Sequence, residues 1–205
     1  LRLIDCGYGV KGVGKLHAGT FFLCSCLVPV GVGTCLLRLP ASTVSGSSSC
    51  INAVCTSTSA VCVTGLIVVA TGSYLTFFGQ NIILALIQLG GLGVMTVSVT
   101  IFLLIGKRVS FKHRMAMQDL FAHTPREDIN QLVKSILWFT VIAEISGILL
   151  LTFHWAKEYP LTKALYLAVF HTISAFCNAG FSLFTNSFMD YNSDNFLNNV
   201  ICALI

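Results

Sequence analysis

The chain has 205 residues, of which 55% are hydrophobic and only 10% charged, with a mean hydropathy of +0.84 and a formal net charge of +4. A soluble domain carries about 25% charged residues, so this composition excludes a soluble enzyme and an intrinsically disordered chain, and it leaves an integral membrane protein. Nucleic acid is excluded as a partner, because basic clusters on a polar scaffold are missing.

Residues 1–19 are Gly-rich, carry Arg2, Lys11 and Lys15, and show no small-residue cleavage site after a short apolar core, so they do not read as a cleavable signal peptide. An apolar segment follows from about Thr20 to Leu39. At about 1.5 Å per residue it can cross about 30 Å of hydrocarbon. Pro40 lies just past its end, and the Ser/Thr-rich stretch from Ser42 to Ser49 reads as a loop. Cys50 to Ala60 is mildly apolar and too short to span. A Gly-containing stretch, Val63 to Ser73, leads to a long apolar run from about Gly79 to Ile105.

Lys107 to Gln131 is the only extended hydrophilic region. A spanning run from Leu132 to Phe153 comes next, followed by a polar turn from Trp155 to Pro160. A second short apolar piece, Lys163 to Phe176, precedes a second Gly-containing stretch, Cys177 to Ser182. A polar loop, Thr185 to Asn195, then leads to Phe196–Ile205, an apolar run that stops before it can span. With Leu at position 1 as well, the chain reads as a fragment.

The order repeats: long helix, short helix, Gly-bearing loop, long helix. Ser59-Ala60-Val61-Cys62-Val63-Thr64-Gly65 aligns with Ser174-Ala175-Phe176-Cys177-Asn178-Ala179-Gly180, at a distance of 115 residues. Internal symmetry of this kind is characteristic of transporters and pores. Lys107, Arg108, Lys112, Arg114, Arg126 and Lys134 cluster in or beside the central polar segment, and Arg2, Lys11 and Lys15 precede the first span. Only Arg38, Lys157 and Lys163 lie on the other side. This bias makes the N-terminus and the central loop cytoplasmic, and both short-helix loops then face outward.

A short apolar piece between two spans reads as re-entrant or interfacial. Irregular backbone at membrane depth survives only when buried in protein or lining water. A re-entrant helix followed by a Gly-bearing loop therefore points to backbone carbonyls that replace the hydration shell of a cation. The helix would also aim its partly negative C-terminus at the pore. Taken singly, Gly65 and Gly180 read as ordinary turn glycines. Their shared Ser-Ala-x-Cys-x-x-Gly context argues for the pore.

The sequence resembles the pore-forming subunits of the Trk/Ktr potassium-uptake family, related to the plant HKT transporters. The resemblance rests on Val63-Thr64-Gly65-Leu66, Thr71-Gly72, Phe78-Gly79-Gln80, Gln88-Leu89-Gly90-Gly91-Leu92-Gly93-Val94-Met95-Thr96, and the run from Phe170 to Ser182. It covers about residues 20 to 205. It implies an all-α integral membrane protein built of repeated M1–pore helix–M2 units in a potassium-channel-like pore. Residues 1–19 would be a cytoplasmic N-terminal segment, 20–106 the first repeat, 107–131 a cytoplasmic loop, and 132–205 a second repeat truncated in M2. By the same resemblance, Cys62, Val63, Thr64 and Gly65 form one strand of the selectivity filter, and Cys177, Asn178, Ala179 and Gly180 a second. Four repeats in one chain close the pore, so two are missing here.

The resemblance further implies a plasma-membrane, multi-pass protein that takes up potassium. Potassium is the transported ion, and no cofactor is expected. The implied partners are the lipid bilayer, a second copy of the full-length subunit, and a cytoplasmic regulatory ring with nucleotide-binding domains. The short lead to the first filter favours the Ktr-like branch. A serine in place of the first filter glycine goes with sodium selectivity in some plant members, so Gly65 fits potassium. A sodium or mixed sodium/potassium conductor and a non-conducting partial subunit are the alternatives. Ala70 departs from the family pattern, in which an Asp precedes Thr-Gly. A membrane enzyme is disfavoured, because HExxH, GxSxG and paired membrane carboxylates are absent.

Three further features carry expectations. Glu144 lies inside a span, where a charge costs about 2.5–3.5 kcal/mol on insertion scales. It reads either as an anchor or electrostatic aid behind the filter, or as a neutral, hydrogen-bonded group at a helix contact. His171 reads as a packed, hydrogen-bonded core residue rather than a metal ligand. Gly90, Gly91 and Gly93 read as small residues for close helix packing, with a hinge as the lesser alternative. The cysteines, among them Cys24, Cys26 and Cys35, read as small hydrophobes, since no spacing suits zinc.

Overall fold

The computed structural model describes residues 18–46, 48–93 and 129–205. The N-terminal charges, the far part of the second apolar run, and Lys107, Arg108, Lys112, Arg114 and Arg126 lie outside the described residues.

Seven helices are described: α1 (Ala18–Leu37), α2 (Cys50–Val61), α3 (Thr71–Tyr74), α4 (Phe77–Gly91), α5 (Ile129–Trp155), α6 (Leu161–Phe176) and α7 (Asn195–Leu204). Short 3₁₀ turns occupy Pro40–Ser42 and Met189–Tyr191. The sequence-based boundaries of α1, α2, α5 and α6 agree to within a few residues. Three features differ. The run read as one long helix from Gly79 to Ile105 has its helix α4 end at Gly91, with Gly93 left-handed just beyond it, and the rest of the run lies outside the described residues. The stretch read as a loop up to Ser73 ends in the one-turn helix α3. Trp155, read as the start of a polar turn, is the fully buried last residue of α5, because its ring packs against His171, Phe184 and Tyr191.

The elements form two groups. α1, α2 and α4 pack on one another, and so do α5, α6 and α7, with α4 also packing on α6. The first core centres on Leu37, Val61, Ile83 and Ile87 and takes in Phe170, Ala179 and Phe181 from the second group. The second centres on Leu151, Trp155, Leu167 and Leu197.

Helix lengths follow from sequence and caps. α2 has 12 residues, about 18 Å, and cannot cross about 30 Å of hydrocarbon. α4 starts at Thr76, whose hydroxyl accepts from the Gly79 N–H and donates to the Ala41 carbonyl. Asp194 caps α7 by accepting from the Phe196 and Leu197 N–H groups, which uses the orphan donors of a first turn. α5 is long and apolar enough to cross a membrane over Lys134–Trp155, the only such helix among the described residues. Trp138, Ile142, Ile145, Leu149 and Phe153 stand exposed along it, Trp138 by 67% and Phe153 by 72%. A stripe this apolar is unfavourable in water and suits lipid.

Candidate functional site: two helix-ending turns that meet

The residues after α2 and α6 fold alike. Cys62 and Cys177 keep right-handed helical angles. The next residues, Val63 (φ 54°) and Asn178 (φ 57°), turn left-handed. Two positions on, Gly65 (φ 70°) and Gly180 (φ 69°) are left-handed again. Thus residues 115 apart adopt the same unusual backbone twice.

Each turn starts as a Schellman-type helix end, in which the residue after the left-handed one donates back to the third-last helical carbonyl. The Thr64 N–H donates to Ser59 O at 3.0 Å, and the Ala179 N–H to Ser174 O at 2.7 Å. The preceding N–H groups of Cys62 and Cys177 donate to Thr58 O and Ile173 O. These backbone donors are therefore spent on the helix. Among the described residues, no hydrogen bond ends on a carbonyl oxygen of residues 62–65 or 177–180. The turns carry a surplus of acceptors, next to the negative ends of two helix dipoles.

Val63 bears a cost. A β-branched residue in the left-handed region is an outlier, disfavoured by about 1–2 kcal/mol. Strain of that kind persists where the surroundings over-determine the backbone, and it gathers at functional sites.

The two turns touch. A methyl group added at Gly65 would lie 3.3 Å from Ala179 O and 3.7 Å from Gly180 Cα. One added at Gly180 would lie 3.3 Å from Gly65 Cα. Both positions thus favour glycine for φ, and any side chain there would be a tight fit against the other turn. Of the eight residues singled out from the sequence, Gly65 is in this way brought against Ala179 and Gly180, and the others flank that contact along the two turns.

α4 supports both turns from one side. Gly90 abuts the backbone carbonyl of Val61, and Gly91 abuts the Cys177 side chain, each too closely to admit a Cβ. The packing expectation is met for Gly90 and Gly91. Gly93, left-handed at φ 77°, follows the helix end. Gln88, one turn earlier, donates from Nε2 to Glu144 Oε1 at 2.7 Å, and its Oε1 is 4.0 Å from Cys177 Sγ. Glu144 is therefore a hydrogen-bonded group at a helix contact, linked through Gln88 to the second turn. The sequence did not single out Gln88 as its partner. A carboxyl inside an apolar span was the available signal that some polar partner must face it.

His171 is buried and fully engaged. Its Nδ1 lies 2.8 Å from Leu167 O, which can only accept. Its Nε2 lies 3.3 Å from the Leu183 N–H, which can only donate, and 3.2 Å from Ser182 Oγ. The ring is thus the neutral Nδ1–H tautomer. It stacks on Phe184 at 4.9 Å and meets Phe188 at 5.1 Å. The loop read as merely polar is held down by these aromatic residues, which flank its start. Among the described residues, no three His, Cys, Asp or Glu side chains gather as a metal site.

Comparison with known proteins identifies the family. Residues 29–205 match the TrkH family, described as cation transport protein. The Ktr system potassium uptake protein B of Bacillus subtilis (strain 168) is 41% identical over 173 residues, 84% of this chain and 39% of that protein. Its namesake from Vibrio alginolyticus is 37% identical over 169 residues, 82% and 37%. The potassium/sodium uptake protein NtpJ of Enterococcus hirae is 35% identical over 194 residues, 94% and 42%. The chain spans about two fifths of the length of these curated relatives.

Proposed function

Because the chain belongs to the TrkH family of cation transport proteins, we propose that it forms part of a potassium-uptake pore, with Cys62–Gly65 and Cys177–Gly180 as two strands of one carbonyl-lined filter. The observation that carries this reading is the pair of matched left-handed turns meeting at Gly65 and Gly180. Free carbonyl acceptors at the negative ends of α2 and α6 can take the place of a cation's water. Passage of the ion involves no covalent chemistry.

In this reading α1–α2–α4 is the first M1–pore helix–M2 unit, within residues 20–106. α5–α6–α7 belongs to the second, residues 132–205, and 107–131 is the loop between them. The N-terminus and that loop face the cytoplasm of a plasma membrane, by the positive-inside bias. Glu144 acts as an anchor behind the second turn. Two further strands complete the filter in the full-length protein. Relatives named as parts of a Ktr system support association with further components of such a system, and a second copy of the subunit and a cytoplasmic nucleotide-binding ring are the partners this reading adds.

The relative named for both potassium and sodium favours a mixed conductor as the second reading. One experiment separates the readings. Gly65→Ser, in the full-length protein, is assayed by ion competition in a potassium-uptake-deficient bacterium. The added side chain opposes φ +70° and crowds Ala179 O. Weaker discrimination of potassium over sodium is expected. A wild type that already fails to discriminate supports the mixed conductor, and an unchanged ratio in a discriminating wild type removes Gly65 from the filter.

A further inference from the structure

α4 carries two glutamines eight residues apart, about 12 Å along its axis, and both face the second helix group. The lower one, Gln88, meets Glu144 of α5. The upper one, Gln80, meets Tyr166 of α6: the Tyr166 O–H donates to Gln80 Oε1 at 3.0 Å. The other end of the same amide points the opposite way. Gln80 Nε2 donates to Leu75 O at 3.1 Å and to Gly72 O at 3.4 Å. Both carbonyls belong to the segment through which the chain leaves the first turn. The Phe77 ring packs on the Tyr166 ring at 4.8 Å.

The Gln80 amide therefore ties the exit of the first turn to the helix that leads into the second. Its donors and its acceptor are all used, so the amide has one orientation and cannot slide without losing a bond. The two turns themselves meet where Gly65 faces the Ala179–Gly180 backbone. Spacing and orientation must come from the elements that carry them. A carbonyl site discriminates between cations by the number and placement of its oxygens, so a sub-ångström shift there changes selectivity.

We propose that Gln80 and Tyr166 are a positioning pair that sets the spacing of the two turns and thereby ion discrimination. This rests on the filter reading above. Neither side chain touches the ion.

The test is Tyr166→Phe in the full-length protein, which keeps the ring on Phe77 and removes only the hydroxyl. Uptake is measured at matched membrane abundance in the potassium-uptake-deficient bacterium. The apparent KM for potassium is expected to rise about threefold to tenfold, the range of one neutral hydrogen bond, and sodium to compete better, with maximal uptake unchanged. Gln80→Leu is expected to act in the same direction, and adding Tyr166→Phe to it to cause little further change. Lower abundance or maximal uptake with unchanged KM and sodium competition would show a merely structural contact and overturn the proposal, as would no effect at all. Gly65→Ser runs alongside. If it shifts discrimination and Tyr166→Phe does not, the positioning role alone falls. If Gly65→Ser is silent in a discriminating wild type, the filter reading fails and this one with it.

Discussion

The first helix-ending turn is held by hydroxyls, and the second by hydroxyls together with an imidazole and aromatic rings. Behind the first, the Thr64 hydroxyl donates to Ser59 Oγ, and Thr34 Oγ1 of α1 lies 2.7 Å from Ser57 Oγ. Ala179 stands where Thr64 stands in the first turn, and it has no hydroxyl to offer. Ser174 instead reaches forward and donates to Phe181 O at 2.7 Å. Where the second unit has His171 on α6, the first has Thr56 on α2, beside a void of about 10 Å³ lined also by Asn52, Tyr74 and Leu75. The backbone nonetheless turns left-handed at the same two matched positions, 63/178 and 65/180. A turn reached twice through different side chains indicates that the backbone is what the two units hold in common.

That comparison is breakable. The largest effect is expected at His171. His171→Ala leaves the Leu183 N–H without its acceptor and opens space among Trp155, Phe184 and Phe188. An unmet buried donor costs about 1–3 kcal/mol, and the cavity adds to it, for a total of about 3 kcal/mol. Thr56→Ala, at the matched position, should cost about 1 kcal/mol or less. Unfolding of the full-length protein in detergent measures both. Equal losses would contradict the division of labour drawn here.

A smaller effect sharpens the same contrast. Asn tolerates the left-handed region and Val does not. Val63→Asn copies the second turn into the first and should stabilise by about 1 kcal/mol in the same assay. Destabilisation would show that the Val63 side chain is held by contacts worth more than its strain.

The sequence made much of this legible, for identifiable reasons. Helices long or short in apolar residues announce themselves by length against the hydrocarbon thickness, and α2, α5 and α6 are read nearly to their ends. The turns were legible because glycine marks positive φ and the Ser-Ala-x-Cys-x-x-Gly pattern occurs twice. The left-handed turn at Val63 carries no signal in its residue type, and only the Schellman bonding demands it, whereas Asn178 is a residue type that tolerates that region and was a signal not used. Gln80, Gln88 and Tyr166 were missed as partners because polar pairs across 56 or 86 residues leave no periodic trace in one sequence. Trp155 was misread as part of a turn because its neighbours Lys157 and Glu158 are charged. The packing of Phe184, Phe188 and Tyr191 against it belongs to tertiary structure alone.

The central claim is that the turns at Gly65 and Gly180 share one cation. Crystals of the full-length protein grown with thallium, whose anomalous scattering marks a potassium site, test it directly. A peak touching carbonyl oxygens from both Cys62–Gly65 and Cys177–Gly180 is expected. Thallium bound elsewhere in a conducting protein, with none between these turns, would contradict it.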